Sequence, residues 1–192
     1  YKIKHFNFDW TPSSLFQNEF LEGLDNLRIE KYRTSFNTLQ TYTNYRLEIP
    51  NENIKLKVSG NYILEIYDVF DELVFSRKFC VYENISNVQV SVFRSQNMNN
   101  YSTHQSIHFA VTPLQEVLIN AQENVFVRLL QNRQWDSEIT GLKPQYFSGK
   151  TLEYRYELPS QFEGGNEYYF FDTKDLRVTS PNISYINKAD LY

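Results

Sequence analysis

The sequence predicts an all-β protein built from two tandem antiparallel β-sandwich modules of immunoglobulin or fibronectin type. Aromatic residues make up 17% of its 192 residues, with fifteen Tyr and fifteen Phe, and these residues favour pleated sheets. Ala110, Ala121 and Ala189 are the only alanines, so the best helix former is almost absent. Many short segments also alternate apolar and polar residues between Gly, Pro and Asn turn signals, which is typical of β-sandwiches.

Bulk composition narrows the class of protein. Hydrophobic residues are 41% and charged residues 22% of the chain, which suffices for a hydrophobic core. The net charge is −4 and the isoelectric point near 5.4, which argues against a broad basic surface for nucleic acid. No apolar run reaches the roughly 18 residues of a membrane-spanning helix. Cys80 is the single cysteine, so an internal disulfide is excluded.

The first module is predicted over residues 1–84, and it opens with a strand at 1–8. Tyr1 and Ile3 share one face, whereas the apolar positions from Phe6 onward fall on the other, so a bulge or strand end is expected near His5. Because the sequence opens inside a strand, we expect the natural start to lie upstream and the module to lack an upstream strand.

Residues 11–32 fit a strand poorly. Apolar residues recur there at near-helical spacing, but Gly23 weakens a helix: Phe16, Phe20, Leu24 and Leu27. We expect a long loop with one helical turn, for which Thr11 and Pro12 would serve as cap and first turn.

Period-two stripes predict the remaining strands of the first module. The apolar residues are Thr43, Tyr45, Leu47 and Ile49, then Ile54, Leu56 and Val58, then Tyr62, Leu64 and Ile66, then Phe79 and Val81. Turn signals separate these stripes at Pro50-Asn51, Gly60-Asn61 and Asp71-Glu72. Cys80 alternates with the inward Phe79 and Val81, so its thiol is expected to point away from the core.

The second module is predicted over residues 85–192, with a short boundary near Asn84 to Asn87. Its core-facing stripes are Val88, Val90 and Val92; Ile107, Phe109 and Val111; Val125, Val127 and Leu129; Leu152, Tyr154, Tyr156 and Leu158. Asn132-Arg133 and Gly164-Gly165-Asn166 predict turns, and Tyr168 to Phe171 predicts a short aromatic strand. The segment from Leu114 to Glu123 fits a short helix, although Val117 and Ile119 fit a strand as well.

No catalytic, cofactor or metal site is expected. His104 and His108 on a strand would stand roughly 13 Å apart, too far to share one ion, and both are expected on the face away from the core. Cys80 lacks the surroundings of a nucleophile and is interpreted as a small hydrophobe. Loop carboxylates could pair for glycoside hydrolysis, but solvated side chains are the favoured interpretation: Asp136, Glu138 and Asp172.

Four aromatic residues lie near predicted loops and are the candidate partner-binding residues: Trp10, Phe16, Phe20 and Trp135. Aromatic loop residues anchor protein partners or stack on sugars. The alternative is that these rings close the ends of the sandwich cores. The sequence leaves both interpretations open.

The run His5-Phe6-Asn7-Phe8-Asp9-Trp10-Thr11-Pro12-Ser13 resembles the opening signature of the type IX secretion system plug protein family of Gram-negative bacteria. Collinear blocks extend the resemblance over most of the chain: 20–23, 35–38, 42–45, 49–51, 59–62, 103–105, 130–136, 139–144, 164–167 and 171–172. Gln134 stands where the family commonly has Gly. Members of the family are longer at both ends. The resemblance therefore implies that three parts are missing from this sequence: the export signal, an early N-terminal segment and a C-terminal region.

The resemblance implies a non-enzymatic plug that seals the periplasmic mouth of a giant outer-membrane β-barrel translocon. The implied partner is that barrel protein and the implied location is the periplasm, at the outer membrane. No cofactor, nucleic acid or small-molecule substrate is expected. The alternative function is an exported carbohydrate-binding or adhesive β-sandwich module, because the sandwich fold alone does not separate the two.

Overall fold

A computed structural model describes residues 1–115 and 118–165 and the positions 172, 174, 177, 183–185 and 187. These residues form antiparallel sheets with two four-residue α-helices. The chain divides into two compact units, Tyr1–Ile85 and Ser86–Tyr192, called unit 1 and unit 2 below. The nearly all-β, antiparallel class predicted from composition and alternation is thus confirmed for the described residues.

Unit 1 contains seven strands and one helix. They are β1 (Lys2–Phe6), α1 (Gln17–Phe20), β2 (Leu21–Gly23), β3 (Tyr32–Thr34), β4 (Thr43–Tyr45), β5 (Ile54–Leu56), β6 (Gly60–Tyr67) and β7 (Leu73–Val81). The largest sheet has the order β1-β6-β7, and two-stranded sheets form from β2-β5 and β3-β4. The β6–β7 hairpin turns at the predicted Asp71-Glu72 signal, where the Asp68 N–H donates to the Glu72 carbonyl at 3.0 Å.

The core of unit 1 lies between the face of the three-stranded sheet and the β2–β5 pair. Its buried residues are the first residue of the chain and residues of β1, α1, β2, β5 and β6: Tyr1, Ile3, Phe20, Leu21, Ile54 and Tyr62. The predicted stripe residues Leu64, Ile66, Phe79 and Val81 pack against them. The sheet face therefore follows the alternation of the sequence.

Of two local predictions for unit 1, the strand end near His5 is observed and the stripe from Thr43 to Ile49 needs correction. The strand ends at Phe6, as the switch near His5 predicted, but the β1–β6 register runs without a bulge and His5 stays on the core side beside Tyr62. The stripe from Thr43 to Ile49 is a strand only as far as Tyr45. Leu47 and Ile49 pack on the core from irregular backbone, followed by a cis Ile49-Pro50 bond.

Unit 2 contains seven described strands. The elements are β8 (Ser86–Arg94), β9 (His104–Pro113), α2 (Ala121–Asn124), β10 (Arg128–Leu129), a 3₁₀ helix (Trp135–Ser137), β11 (Ile139–Thr140), β12 (Tyr146–Ser148), β13 (Thr151–Tyr154) and β14 (Gln161–Glu163). Strand β9 is central: β8 pairs with one edge of it, β13 and β14 pair with it too, and β12 extends from β13. A second small sheet joins β10 to β11.

The core of unit 2 covers one face of β9 and β13. Phe109 and Tyr154 stack with ring centroids 4.3 Å apart, and Ala121, Leu142 and Leu152 complete the buried set. The predicted stripe residues Val125, Val127 and Leu129 pack against this core, although only Arg128 and Leu129 are in a strand. Val125 and Val127 thus pack on the core without a ladder, whereas Phe126 between them is 56% exposed.

The opposite face of β9 carries a polar network. The Glu157 carboxylate accepts hydrogen bonds from the Gln96 N–H at 2.6 Å and the Ser106 hydroxyl at 2.8 Å. The Gln161 amide donates to Ser95 at 2.8 Å, and Ser95 and Ser106 are fully buried. Hydrogen bonds from Gln96, Ser106 and Gln161 hold the pKa of Glu157 below its usual value, with a smaller contribution from His108. The network satisfies the hydroxyl of Ser106, which β9 buries on this side, whereas the buried Nε2 of His108 on the same face has no hydrogen-bond partner among the described residues.

Several predictions for unit 2 are wrong or fall outside the described residues. The stripe Val88, Val90 and Val92 is predicted to face a core, but these side chains are more than half exposed because nothing in the described chain covers β8. Leu158 is exposed as well. His104 and His108 lie on the side away from Phe109 as predicted, but they are half-buried. Val117, Asn166 and the strand at Tyr168 to Phe171 lie outside the described residues, whereas a helix forms at Ala121–Asn124.

Candidate partner-binding surface

The four aromatic candidates occupy different environments. Trp10 in unit 1 and Trp135 in unit 2 are half-buried, Phe16 is 78% exposed, and Phe20 is only 7% exposed. The Phe20 ring stacks on His5 at 5.6 Å and packs against Tyr62. A ring used in this way has no free face for a partner, so Phe20 is a core residue and is removed from the candidate anchors.

Trp10 sits at the tip of a tight hairpin, residues 7–13, called the Trp10 loop below. The Trp10 N–H donates to the Asn7 carbonyl at 3.0 Å, and the Asn7 N–H donates to the Thr11 carbonyl at 2.9 Å. Trp10 has φ 65°, the left-handed position that Gly fills in short hairpins of this kind. A bulky residue there is uncommon and costs about 1 kcal/mol or more.

Side chains hold the Trp10 loop in this conformation. The Asp9 carboxylate accepts from both the N–H and the hydroxyl of Thr11, at 3.0 and 2.6 Å, and the Asn7 amide donates to Thr11 Oγ1 at 3.0 Å. From β6, the Asn61 amide donates to the carbonyls of Asn7 and Phe8, at 2.9 and 3.2 Å. The loop is therefore ordered before any partner arrives, which lowers the entropy cost of binding.

The Trp10 ring is part of a mixed aromatic and cationic surface. Lys78 Nζ on β7 lies 4.6 Å above the ring, the Phe6 ring centroid is 6.2 Å away, and Phe8 is 56% exposed. Aromatic rings beside a cation are typical of residues that dominate protein interfaces. Sequence reasoning missed Lys78 because only the β6–β7 pairing brings it to Trp10. For Phe8 a sequence signal existed, since it stands within the run from His5 to Ser13 that also contains Trp10.

Phe16 is fixed at the start of α1. The Phe16 N–H donates to the Glu19 carboxylate at 2.7 Å, and the Glu19 N–H donates to the Phe16 carbonyl at 2.9 Å. This reciprocal arrangement caps the short helix, so the predicted cap at Thr11 and Pro12 is wrong. The exposed ring is held at a defined place on the surface of unit 1.

Trp135 opens the 3₁₀ helix that follows the predicted turn at Asn132-Arg133. Both turn residues have positive φ, 52° and 62°, and the Gln134 N–H donates to the Gln131 carbonyl at 2.9 Å. An ion pair between Arg128 and Glu138 joins the two sides of this turn. The turn is thus confirmed, with Gln134 tolerated in extended backbone.

A second exposed apolar feature of unit 1 was not predicted. Val69 and Phe70, at the tip of the β6–β7 hairpin, are 90% and 83% exposed. The Asp68 carboxylate accepts from the N–H groups of Phe70 and Glu72, at 2.8 and 2.9 Å, and fixes this tip. The sequence signalled a turn here, but not which side chains the turn would leave in water.

The described residues contain no group of three or more His, Cys, Asp or Glu side chains placed to hold a metal ion. Cys80 is exposed, as its alternation predicted, and its thiol contacts the Asn61 side chain at 3.1 Å. In the same part of the chain, no helix has the length and apolar character needed to cross a membrane.

Residues 1–83 match the family described as "Type 9 secretion system plug protein 1st domain", so the resemblance expected from the sequence is confirmed over that range. A hypothetical protein from Parabacteroides merdae, with a crystal structure at 2.30 Å, is 27% identical with a TM-score of 0.88. The alignment covers 98% of this chain and 48% of that one, so the chain spans about half of that protein. No curated protein matches the sequence.

Proposed function

We propose that this chain is part of a type IX secretion plug subunit that seals the periplasmic mouth of a giant outer-membrane β-barrel translocon. The observation that carries the proposal is the match of residues 1–83 to the first domain of the plug protein. Sealing a wide pore needs bulk, rigidity and complementary contacts and does not need catalysis. The protein is accordingly proposed to be non-enzymatic and to act in the periplasm at the outer membrane.

The finer architecture belongs to the same proposal. Residues 1–84 and 85–192 would be two immunoglobulin- or fibronectin-like β-sandwich modules, and rigid antiparallel sheets of this kind supply a stiff body with loops for docking. The described core of each unit, centred on Tyr62 and Tyr154, supports this interpretation.

Docking to the barrel is proposed to use three aromatic residues: Trp10, Phe16 and Trp135. The Trp10 loop is the strongest of these positions, because hydrogen bonds order its backbone and its ring has an adjacent cation, Lys78. A preorganised aromatic residue loses little conformational entropy on binding. Truncation of a true anchor is expected to weaken binding by about 2 kcal/mol, roughly thirtyfold.

The sealing function is tested by uptake of a large hydrophilic antibiotic in strains lacking this protein, the barrel, or both. Loss of the plug alone should make the outer membrane leaky, because a water-filled lumen presents no hydrophobic barrier to polar solutes. Loss of both proteins should restore the barrier. Unchanged uptake in the single deletion, or a leak that persists without the barrel, would refute the proposal.

The docking residues are tested by complementation and by affinity for the purified barrel. Trp10→Gly removes the ring but keeps a residue that tolerates φ 65°, so a loss of binding reports the ring and not the turn. It should weaken binding by roughly thirtyfold and leave the membrane leaky. Phe36→Ala is the matched control, because Phe36 is a 93% exposed ring outside the Trp10 loop; it should seal normally.

One observation favours the alternative of carbohydrate binding. Tyr32 and Tyr45 face each other across β3 and β4 with ring centroids 5.8 Å apart, and both are more than half exposed. Paired exposed tyrosines can stack on sugar rings. Glycan-array binding that disappears in Tyr32→Ala, with an intact barrier in the deletion strain, would favour this function over the plug.

A further inference from the structure

The two long edge strands of the described chain differ in how they are protected against pairing with another strand. β7 carries Arg77 and Lys78 on its length, and its register with β6 is interrupted between Ile66 and Tyr67. Charges and bulges of this kind discourage edge-to-edge association. The outer edge of β7 is therefore protected against pairing with another strand.

β8 has none of these features among its nine residues, Ser86–Arg94, except the terminal Arg94. It contains no Pro, Lys or acidic residue, and its nine-residue register with β9 is unbroken. The ladder with β9 is thus continuous along the whole strand, and the outer N–H and C=O groups of β8 face away from the described part of its sheet. A long edge with no bulge, no Pro and no charge before its last residue is a template for a further strand.

The side chains of β8 add an apolar stripe to this edge. Val88, Val90 and Val92 pair with Val111, Phe109 and Ile107 of β9, so they continue the face that carries the core of unit 2. They are nevertheless 52%, 58% and 56% exposed. Three β-branched side chains in a row favour a neighbouring strand with apolar residues in the same alternation.

The sequence of β8 fits a second copy of itself. In an antiparallel pair centred on Val90, all nine residues are paired and Val90 lies opposite Val90. Val88 of one copy then lies opposite Val92 of the other, and Gln89 lies opposite Ser91. Arg94 meets the uncharged Ser86, so like charges do not oppose each other directly. Shifting the register by two residues in either direction would leave strand ends unpaired and a valine opposite a polar residue or Arg94.

We infer that β8 is a homodimerisation edge, through which two copies of this chain join their unit 2 sheets across a two-fold axis at Val90. The pairing is isologous, because the same strand serves both copies. It would extend the sheet and place six valines on one face of the joined strands. The contact is small and belongs to the weak, transient class of interfaces, so the dimer forms in a concentration-dependent way.

Sedimentation velocity of the purified chain over roughly 1–300 µM, a range suited to a weak interface, tests the inference. The wild type should shift from monomer to dimer. Val90→Lys should weaken association at least tenfold, because it places two ammonium groups opposite each other. Val74→Lys is the matched control: it makes the same change at a 61% exposed position on β7 and should leave the dimer unchanged. Far-UV circular dichroism confirms that both variants fold.

A pair of double variants tests the register. Val88→Lys combined with Val92→Glu places opposite charges across both symmetric pairs and should dimerise. Val88→Lys combined with Val92→Lys places like charges there and should be monomeric. A wild type that stays monomeric throughout, or a dimer that survives Val90→Lys, overturns the inference. Capture of an unrelated extended peptide by a monomeric wild type would assign the edge to another protein and also overturn it.

Discussion

The two units bury the same kind of residue in different ways. Tyr62 in unit 1 and Tyr154 in unit 2 are both 0% exposed, and each ring stacks on a phenylalanine, Phe79 at 5.4 Å and Phe109 at 4.3 Å. The Tyr62 hydroxyl donates to the Val58 carbonyl at 2.7 Å, whereas the Tyr154 hydroxyl has no hydrogen-bond partner among the described residues. Burial raises the pKa of both hydroxyls. Both cores thus use the tyrosine ring for packing, but only the hydroxyl of Tyr62 in unit 1 also makes a hydrogen bond to another described residue.

The units also hold their carboxylates differently. In unit 1, Glu65 accepts from the Tyr67 hydroxyl at 2.7 Å and pairs with Lys4 at 2.9 Å. Burial would raise the pKa of Glu65, but these two partners outweigh it and lower the pKa. In unit 2, neutral donors hold Glu157, namely a backbone N–H, a serine and a glutamine. The lowered pKa of Glu65 therefore depends partly on the charge of Lys4, which salt can screen. The lowered pKa of Glu157 depends mainly on hydrogen bonds from neutral donors.

The largest expected effect comes from removing the rings. Tyr62→Ala and Tyr154→Ala should each destabilise their own unit by about 3–5 kcal/mol, because a large cavity replaces a stacked ring. Hydrogen exchange measured by mass spectrometry should show lost protection in one unit at a time. Equal loss in both units after either change would show that the units unfold together and would break the comparison.

A smaller effect separates the two hydroxyls. Tyr62→Phe should cost about 1 kcal/mol, because it leaves the Val58 carbonyl without its donor, whereas Tyr154→Phe should be near neutral or slightly stabilising. The two tryptophans report the units separately, since Trp10 lies in unit 1 and Trp135 in unit 2. Urea unfolding is followed by tryptophan fluorescence in two backgrounds. In Trp135→Phe the remaining Trp10 reports the free energy of unfolding of unit 1, and in Trp10→Phe the remaining Trp135 reports that of unit 2. A cost for Tyr154→Phe equal to that for Tyr62→Phe would contradict the assignment.

The smallest effect is the acid response of the two carboxylates. The pKa of Glu65 and of Glu157 is lowered in the folded protein from the usual 4.5. The stabilisation is therefore present above pH 4.5 and is lost as the pH falls through the lower folded pKa. Glu157→Gln should flatten this acid response in unit 2, and Glu65→Gln should do so in unit 1.

Salt distinguishes the two responses further. About 1 M NaCl should weaken the Glu65 contribution more than that of Glu157, because Lys4 is an exposed cation and its attraction is screened. Stability measured between pH 3 and 6 at low and high salt, for example by thermal unfolding, checks both expectations. An equal salt response in the two units would show that the Lys4–Glu65 pair has no particular role.

Much of unit 1 could be predicted locally. The alternation of Tyr62, Leu64 and Ile66 placed these residues on one face of β6, and they pack on the core. The turn signal at Asp71-Glu72 also lies at an observed turn, as does the signal at Asn132-Arg133 in unit 2. Such features depend on the two-residue period of a strand and on residues that tolerate turn conformations, so a short stretch of sequence contains the information.

The candidate surface was predictable only in part. Trp10 and Phe16 were identified because aromatic residues near a loop can anchor a partner, and Phe16 is indeed largely exposed. Phe20 looked equivalent in sequence but is buried against His5 and Tyr62, which belong to distant strands. The cation over Trp10 comes from Lys78, 68 residues along the chain by its number. These differences arise from strand pairing, which no local pattern contains.

The sequence by itself determined the strand-forming segments, their two faces and the family resemblance of residues 1–83, because each depends on residue type at close spacing. Only the tertiary structure decided which of those faces is covered. Val88, Val90 and Val92 have the same alternation as Ile107, Phe109 and Val111, yet among the described strands β9 lies inside its sheet and β8 at its edge. Alternation says that a strand has an apolar face; burial depends on whether another layer packs over that strand, and this is set by contacts between residues far apart in the chain.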